Sequence, residues 1–125
     1  MSDSELTGRV LGAAMEVHSA LGAGFREQTY ENALAVELGS RGISFERQVS
    51  VRLVYKDVVV GEGKVDLLVE GELVIELKAV ERLHDAHRDQ VITYLRAMQL
   101  PLGLLINFHG DNIRDHSRRV IADQA

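Results

Sequence analysis

The sequence predicts an α/β protein, and two observations carry that prediction. Apolar residues recur at steps of three and four over residues 4–38, whereas from Phe45 to Val80 they mostly alternate with polar residues. The first period is that of an amphipathic helix and the second that of a half-buried strand. The 125 residues, 46% of them hydrophobic, suffice for one ordinary core and are too few for two full domains. We therefore expect a single domain over residues 1–125.

Two helices are predicted before any strand. The first covers residues 4–21, where the apolar positions lie on one side of a helix. Gly22-Ala23-Gly24 ends it, and a second helical pattern then continues as far as Gly39. The helices thus come first along the chain, and the strands follow.

The alternating stretch divides into three strands. Lys56-Asp57 is typical of the turn between the first two, and the second strand covers Val58 to Val69. Gly61 and Gly63 within it suggest a bulge or bend. The third strand runs from about Leu73 to Ala79. The order so far is two helices and three strands.

Helical spacing returns after the third strand. It extends from Leu83 to Met98, and Pro101 blocks its continuation. The apolar run Leu102 to Phe108 is typical of a buried strand. The tail from residue 111 is ambiguous between a final strand, near residues 117–121, and a helix.

Two acids and a lysine stand in this apolar stretch. Because side chains alternate across a strand, Glu76 and Lys78 share one face. A three-residue turn at Glu70-Gly71-Glu72 would place Asp66 opposite Glu76 on the neighbouring antiparallel strand, whereas a two-residue turn would put it on the wrong face. The sequence therefore predicts that Asp66 and Glu76 are cross-strand neighbours.

Paired carboxylates in this setting favour a divalent cation. Asp66 and Glu76 side by side repel each other unless a cation lies between them. Mg²⁺ or Mn²⁺ suits oxygen ligands and retains water, a nucleophile toward a phosphodiester. Lys78 could orient that water or offset charge on the phosphorane. The alternative from spacing alone is a solvent-exposed, salt-bridged hairpin.

At these residues the chain resembles the PD-(D/E)XK nuclease superfamily, although Val65 replaces the proline that often precedes the aspartate. The segment Gly24-Phe25-Arg26-Glu27-Gln28-Thr29-Tyr30 resembles the G-x-x-E-x-x-Y motif of the GxxExxY family within that superfamily. The similarity continues through residues 31–34, 54–56, 66–69, 75–80 and 104–108. It therefore spans nearly the whole chain.

The resemblance implies a restriction-endonuclease-like mixed β-sheet flanked by helices, in the order α-α-β-β-β-α-β-β. It also implies metal ligands at Asp66 and Glu76, a catalytic Lys78, and Glu27 completing the metal shell directly or through water. Glu27 equally suits the first turn of a helix by its charge alone. Gln90 and Tyr94 resemble a supporting Q-x-x-x-Y motif, although such a pair is common at the boundary of an amphipathic helix.

Several other side chains leave alternatives open. Tyr30 is typical of a half-buried packing residue. His18 is typical of a hydrogen-bonded core histidine, with a supporting role near the metal left open. His84 and His87, three apart on a helix, suit either metal chelation or a solvated face.

Composition limits the function classes. The chain has no cysteine, which excludes disulfides and thiolate metal sites and fits a cytoplasmic protein. Its start is acidic without an apolar run, and no window reaches membrane-spanning length, so we expect no membrane association. The net charge is −5, with the acid excess confined to residues 1–77. Residues 78–125 are thus the better face for a polyanion.

Three functions remain in competition. A Mg²⁺- or Mn²⁺-dependent nuclease acting on DNA or RNA leads. A catalytically silent binding or assembly module of the same fold comes second, because fold alone does not establish function. A hydrolase of a small phosphate compound comes last, since no glycine-rich phosphate loop is visible. A homodimer or protein partner could supply the basic groove that this acidic chain lacks.

Overall fold

The computed structural model describes residues 3–122, with side chains from residue 5 onward. The elements follow the predicted order: α1 (Asp3–Leu21), α2 (Glu27–Ser40), β1 (Phe45–Tyr55), β2 (Val58–Val69), β3 (Leu73–Lys78), α3 (Asp85–Met98), β4 (Leu102–Asn107) and β5 (Arg118–Ile121). The predicted α/β fold class is confirmed, and the ambiguous tail forms a strand. Among the described residues, no helix is long and apolar enough to cross a membrane.

The five strands form one mixed sheet in the order β1-β2-β3-β4-β5. Three neighbouring pairs are antiparallel, and the β3–β4 pair is parallel. A parallel pair needs a crossover connection, which α3 supplies between β3 and β4. The sheet is therefore mixed, as the resemblance implied.

Each face of the sheet has its own core. One cluster joins α1 and α2 to alternate residues of β3 and β4, such as Ile75, Leu77 and Leu104. The other joins α3 to the residues in between, such as Val74 and Leu105. The central strands are thus covered on both faces, which explains why β3 and β4 are nearly continuous apolar runs.

The β1–β2 hairpin changes faces part-way along. Phe45 and Leu67 pack with α1 and α2, whereas Val51 and Val65 pack with α3, although all four positions are odd-numbered. The change occurs at Gln48, whose φ is +50°, a backbone conformation uncommon outside glycine. One hairpin therefore contributes to both cores.

Two tight turns set the strand register. Lys56 and Asp57 both have positive φ, as a two-residue hairpin turn requires. The turn after β2 contains Glu70, Gly71 and Glu72, as predicted. Hydrogen bonds from the amide and hydroxyl of Ser44 hold Glu70 and keep the pKa of its carboxyl below the ordinary value. The register of β2 against β3 follows from that turn.

The glycines of β2 have different roles from one another. The register of β1 against β2 shifts beside Gly61, so a bulge is present where the sequence indicated one. Gly63 pairs regularly with Val51 and lies outside the bulge. A Cβ at Gly63 would lie 2.6 Å from the ring of Tyr94, so the missing side chain admits α3 against the strand.

Candidate functional site

The Asp66–Glu76 pair lies where β2 and β3 separate. Backbone pairing of the two strands is regular up to Leu67 and Ile75, and Asp66 and Glu76 occupy the next positions. There the Asp66 amide donates to Glu76 Oε1 at 3.1 Å, and the Leu77 amide donates to Asp66 Oδ2 at 2.8 Å. Carboxylates thus replace carbonyls as acceptors. The structure brings the two acids together across the strands, as the register prediction requires.

Glu76 is buried and forms no ion pair with the residues that the structure describes. Its side chain is only 5% exposed, and the Asp66 amide is its one hydrogen-bond donor among the described residues. Burial, followed by the negative charge of Asp66, raises the pKa of Glu76 to about 8. A divalent cation bound to a buried carboxyl group that lies beside another acid stabilises the ionised form of that group. Its chemistry therefore fits the oxygen ligands of Mg²⁺ or Mn²⁺.

Lys78 ends β3 and is half-buried. Its positive charge lowers the pKa of Glu76, opposing the larger effects of burial and Asp66. Within the described part of the chain, its ammonium group forms no ion pair closer than 4 Å. The group is thus near the acid pair and free to contact a further negative charge.

Glu27 lies farther from the acid pair than a shared metal site requires. It is the first residue of α2 and is exposed, and its charge contributes to the raised pKa of Glu76. Across residues 3–122, however, no three Asp, Glu or His side chains are grouped closely enough to hold a metal ion. A ligand role for Glu27 therefore needs water between it and the ion.

The G-x-x-E-x-x-Y segment spans the end of the α1–α2 loop and the first turn of α2. Gly24 has a φ of +103°, which allows the chain to reverse between α1 and α2. Tyr30 is fully buried and stacks on Phe108 at 4.3 Å between ring centroids. Its hydroxyl donates to the Gly22 carbonyl at 2.6 Å and accepts from the Phe25 amide. Tyr30 is thus a packing residue, more buried than expected, that fixes the loop before Glu27.

A second polar cluster adjoins Asp66, and the sequence did not indicate it. Gln48 Nε2 donates to Glu31 Oε1 at 2.7 Å and to Asp66 Oδ1 at 3.3 Å. Glu31 is 4% exposed and also accepts from Arg47, at 2.9 Å and 3.0 Å. Asp66 Oδ1 is therefore linked, through Gln48, to the ion pair between Glu31 of α2 and Arg47 of β1.

The Gln90 and Tyr94 pair lies on α3 against the β1–β2 hairpin. Gln90 donates to the Tyr94 hydroxyl at 3.2 Å, and the Tyr94 ring rests on Gly63. Neither side chain hydrogen-bonds to Asp66, Glu76 or Lys78. The pair is thus near the strand that carries Asp66, without direct contact with the acids.

The side chains of His18 and His87 are hydrogen-bonded to the backbone. His18 Nε2 bonds to the Gly110 carbonyl at 2.8 Å, as expected of a half-buried structural histidine. His87 Nδ1 accepts from the His84 amide at 3.0 Å at the start of α3. Burial, then the charge of Lys78, lowers the pKa of His87. Both effects favour the neutral form of His87.

The sequence also matches a known family. The sequence model of the PD-(D/E)XK nuclease superfamily aligns with residues 4–120. The chain belongs to this superfamily. The match covers every strand and helix except the last residue of β5 and the first of α1. No curated protein matches the sequence.

Two solved structures share the PD-(D/E)XK fold of this chain. One is SSO0001, with a TM-score of 0.60, 19% identity and 78% of this chain covered; the chain spans only 50% of SSO0001. The other is an alkaline exonuclease, LHK-Exo, from Laribacter hongkongensis, with a TM-score of 0.53 and 12% identity. That match covers 88% of this chain and 76% of LHK-Exo. At these identities the likeness is one of fold.

Proposed function

We propose that this protein is a divalent-metal-dependent nuclease that hydrolyses phosphodiester bonds in DNA or RNA. The observation that carries the proposal is the contact between Asp66 and Glu76, in which Glu76 is buried and neither carboxylate forms an ion pair with a cationic side chain of the described residues. Membership of the superfamily supports the same reaction. Superfamily membership alone leaves open whether the chain is active, so the proposal depends on these residues.

Each side chain has a defined part in this proposal. Asp66 and Glu76 would hold Mg²⁺ or Mn²⁺, with Glu27 contributing through water. When bound, such an ion lowers the pKa of water and offsets negative charge on phosphate. Lys78 donates hydrogen bonds to the attacking water or to a phosphate oxygen. Gln90 and Tyr94 support the substrate backbone from α3.

We further propose that the chain belongs to the GxxExxY family within the superfamily. The residues that support this are Gly24, Glu27 and Tyr30, because each has a separate structural reason for its place at or just before the start of α2.

We also propose that residues 1–125 form one nuclease domain, that the protein is cytoplasmic, and that it acts as a homodimer or with a protein partner. A partner would add the basic surface that its own charge of −5 does not provide.

The proposal is tested by cleavage assays with matched variants. Wild-type protein, Glu76→Ala and Glu72→Ala are incubated with labelled single- and double-stranded DNA and RNA, with Mg²⁺, Mn²⁺ or chelator. Glu72 is an exposed acid in the adjacent turn and serves as the control. We expect wild type and Glu72→Ala to cut alike, and Glu76→Ala to lose at least about 10³-fold in rate.

Two outcomes would contradict the nuclease proposal. Cleavage by Glu76→Ala at the wild-type rate would exclude the acid pair as the site. No cleavage by wild type with either metal would instead favour the silent binding module. In that case calorimetric titration with Mn²⁺ separates a metal-binding module from one that keeps the acids for other reasons.

A further inference from the structure

A cleft of about 950 Å³ lies at the carboxyl ends of β3 and β4. Its two walls are the segments that follow these strands, residues 80–87 and residues 109–116. In sheets with parallel strands, ligands bind in the crevice at the carboxyl ends of those strands. The cleft begins at Val80, two residues beyond Lys78 in the chain, and the charge of Lys78 acts on His87 in its lining.

Asn107 fixes both walls of the cleft. It is 1% exposed, donates to the Val80 carbonyl at 2.8 Å and accepts from the Val80 amide at 3.1 Å. The same side chain accepts from the His109 amide at 3.2 Å. The His18 contact with Gly110 adds a tie to α1. Hydrogen bonds from Asn107 therefore fix the first residue of each wall, and the position of the cleft is set by the fold.

Four of the five histidines of the chain line this cleft, together with one arginine: His84, His87, His109, His116 and Arg82. His87 Nδ1 accepts from a backbone amide, so its remaining proton is on Nε2. His116 Nδ1 bonds to the His109 carbonyl, and because a carbonyl only accepts, that nitrogen carries a proton. The His116 proton is thus already donated to that carbonyl, so the donors for a ligand are the Arg82 guanidinium and His87 Nε2, and the histidine rings add flat aromatic faces.

The same lining argues against a metal as the occupant. In the part of the chain that the structure describes, no three His, Asp or Glu side chains are grouped to hold an ion. The acids of the cleft, Glu81 and Asp111, are exposed and stand beside Arg82 and the histidines. An elongated anion can contact donors that are spread along a cleft, whereas a single ion cannot.

We propose that this cleft binds an unpaired strand of nucleic acid, with its phosphates toward Arg82 and the histidines. This inference rests on the proposed nuclease function and names the substrate form for it. A volume of about 950 Å³ is at the upper end of what small-ligand pockets enclose, and so suits a few nucleotides. Imidazole rings can stack on bases that are exposed, as they are in a single strand but not in a duplex.

The test measures binding without cleavage. Fluorescence anisotropy in chelator compares labelled single-stranded DNA, single-stranded RNA and a blunt duplex of the same sequence. The proteins are wild type, Arg82→Ala/His109→Ala and the control Arg52→Ala, an exposed arginine on β1. Arg82 and His109 are both exposed, so their replacement should leave the fold intact. Thermal melting of each variant checks this.

We expect wild type and Arg52→Ala to bind a single strand more tightly than the duplex. The double variant should bind the single strand about tenfold more weakly, since charge-assisted hydrogen bonds are lost. Its salt dependence should fall by about 1 in the slope of log K against log salt. Unchanged single-strand binding by the double variant, or equal binding of duplex by wild type, would overturn the proposal.

This test fails independently of the nuclease proposal. If wild type cuts nucleic acid and the double variant binds normally, the cleft is wrong and the nuclease stands. If wild type binds a single strand through the cleft but never cuts with Mg²⁺ or Mn²⁺, the cleft stands and the nuclease is wrong. If wild type binds none of the three probes, the cleft proposal is overturned.

Discussion

Glu31 and Glu76 are two buried carboxylates, 4% and 5% exposed, with opposite surroundings. Glu31 accepts from Arg47 and from Gln48, so the chain itself supplies a cation and a second donor. Glu76 accepts one backbone amide and stands beside a second acid, Asp66. A buried charge is costly unless it is paired. The first site is therefore complete as folded, whereas the second is suited to a cation from solution.

The largest effect is expected from Glu76→Gln on the pH dependence of stability. Because the folded pKa of Glu76 is about 8, above its ordinary value of 4.5, the folded state binds more protons between these pH values. The contribution to stability is thus complete below about pH 4.5 and is lost as pH rises through about 8. Metal-free wild type should lose on the order of 3 to 5 kcal/mol across this window.

Urea unfolding in chelator at pH 5 and pH 8.5 measures this effect. Glu76→Gln should lack the decline, and Mn²⁺ at pH 8.5 should stabilise wild type but not the variant. If the stability of Glu76→Gln falls with pH as steeply as that of wild type, Glu76 is not the source of the pH dependence.

The next largest effect is expected at the Glu31–Arg47 ion pair. Arg47→Met keeps the length of the side chain but leaves Glu31 buried without a cation. Because the Arg47 side chain is 38% exposed and Glu31 only 6%, we expect a loss of about 2 kcal/mol in the free energy of unfolding, less than for a fully buried pair. Chemical denaturation at pH 7 measures it.

Arg41→Met is the matched control for that loss. The Arg41 side chain is also 38% exposed, and its partner Glu37 is 26% exposed. Removal of this surface pair should cost less than about 0.5 kcal/mol. Equal losses in the free energy of unfolding for the two variants would mean that the burial of Glu31 does not increase the cost of removing its partner.

The smallest effect concerns Gln48, which joins the two sites. Gln48→Ala removes the hydrogen bond to Asp66 and should weaken Mn²⁺ binding about tenfold, the usual scale for a group that orients a metal ligand. Calorimetry measures the affinity. Gln48→Glu, which retains the side-chain length but adds repulsion toward Asp66 and Glu31, should bind no better than Gln48→Ala. Wild-type affinity in both variants would contradict an orienting role.

Local sequence rules predicted most of the fold. The period of apolar residues located six elements, and the three-residue turn at residues 70–72 fixed the register that brings Asp66 to Glu76. Parity made this possible, because a strand has only two faces and one turn length selects between them. The resemblance added the mixed sheet flanked by helices, and the roles that it implies for Glu27 and Lys78 stay predictions.

The features that the sequence did not predict depend on distant contacts. A positive φ at Gln48 has no local signal, since glutamine shows no preference for that conformation. Glu31 lies on α2, and it becomes part of an ion pair only because Arg47 approaches from β1. Asn107 likewise gains its role from the loop after another strand. Such pairings form between segments far apart in sequence.

The change of face at Gln48 also bears on how the molecule unfolds. The base of the β1–β2 hairpin lies in the core beneath α1 and α2, and the following residues lie in the core beneath α3. β1 and β2 contribute apolar side chains to both cores. Disruption of either core therefore also exposes side chains that these two strands contribute to the other core. The two halves of the molecule are therefore coupled into one cooperative unit, and loss of either helical layer should release both.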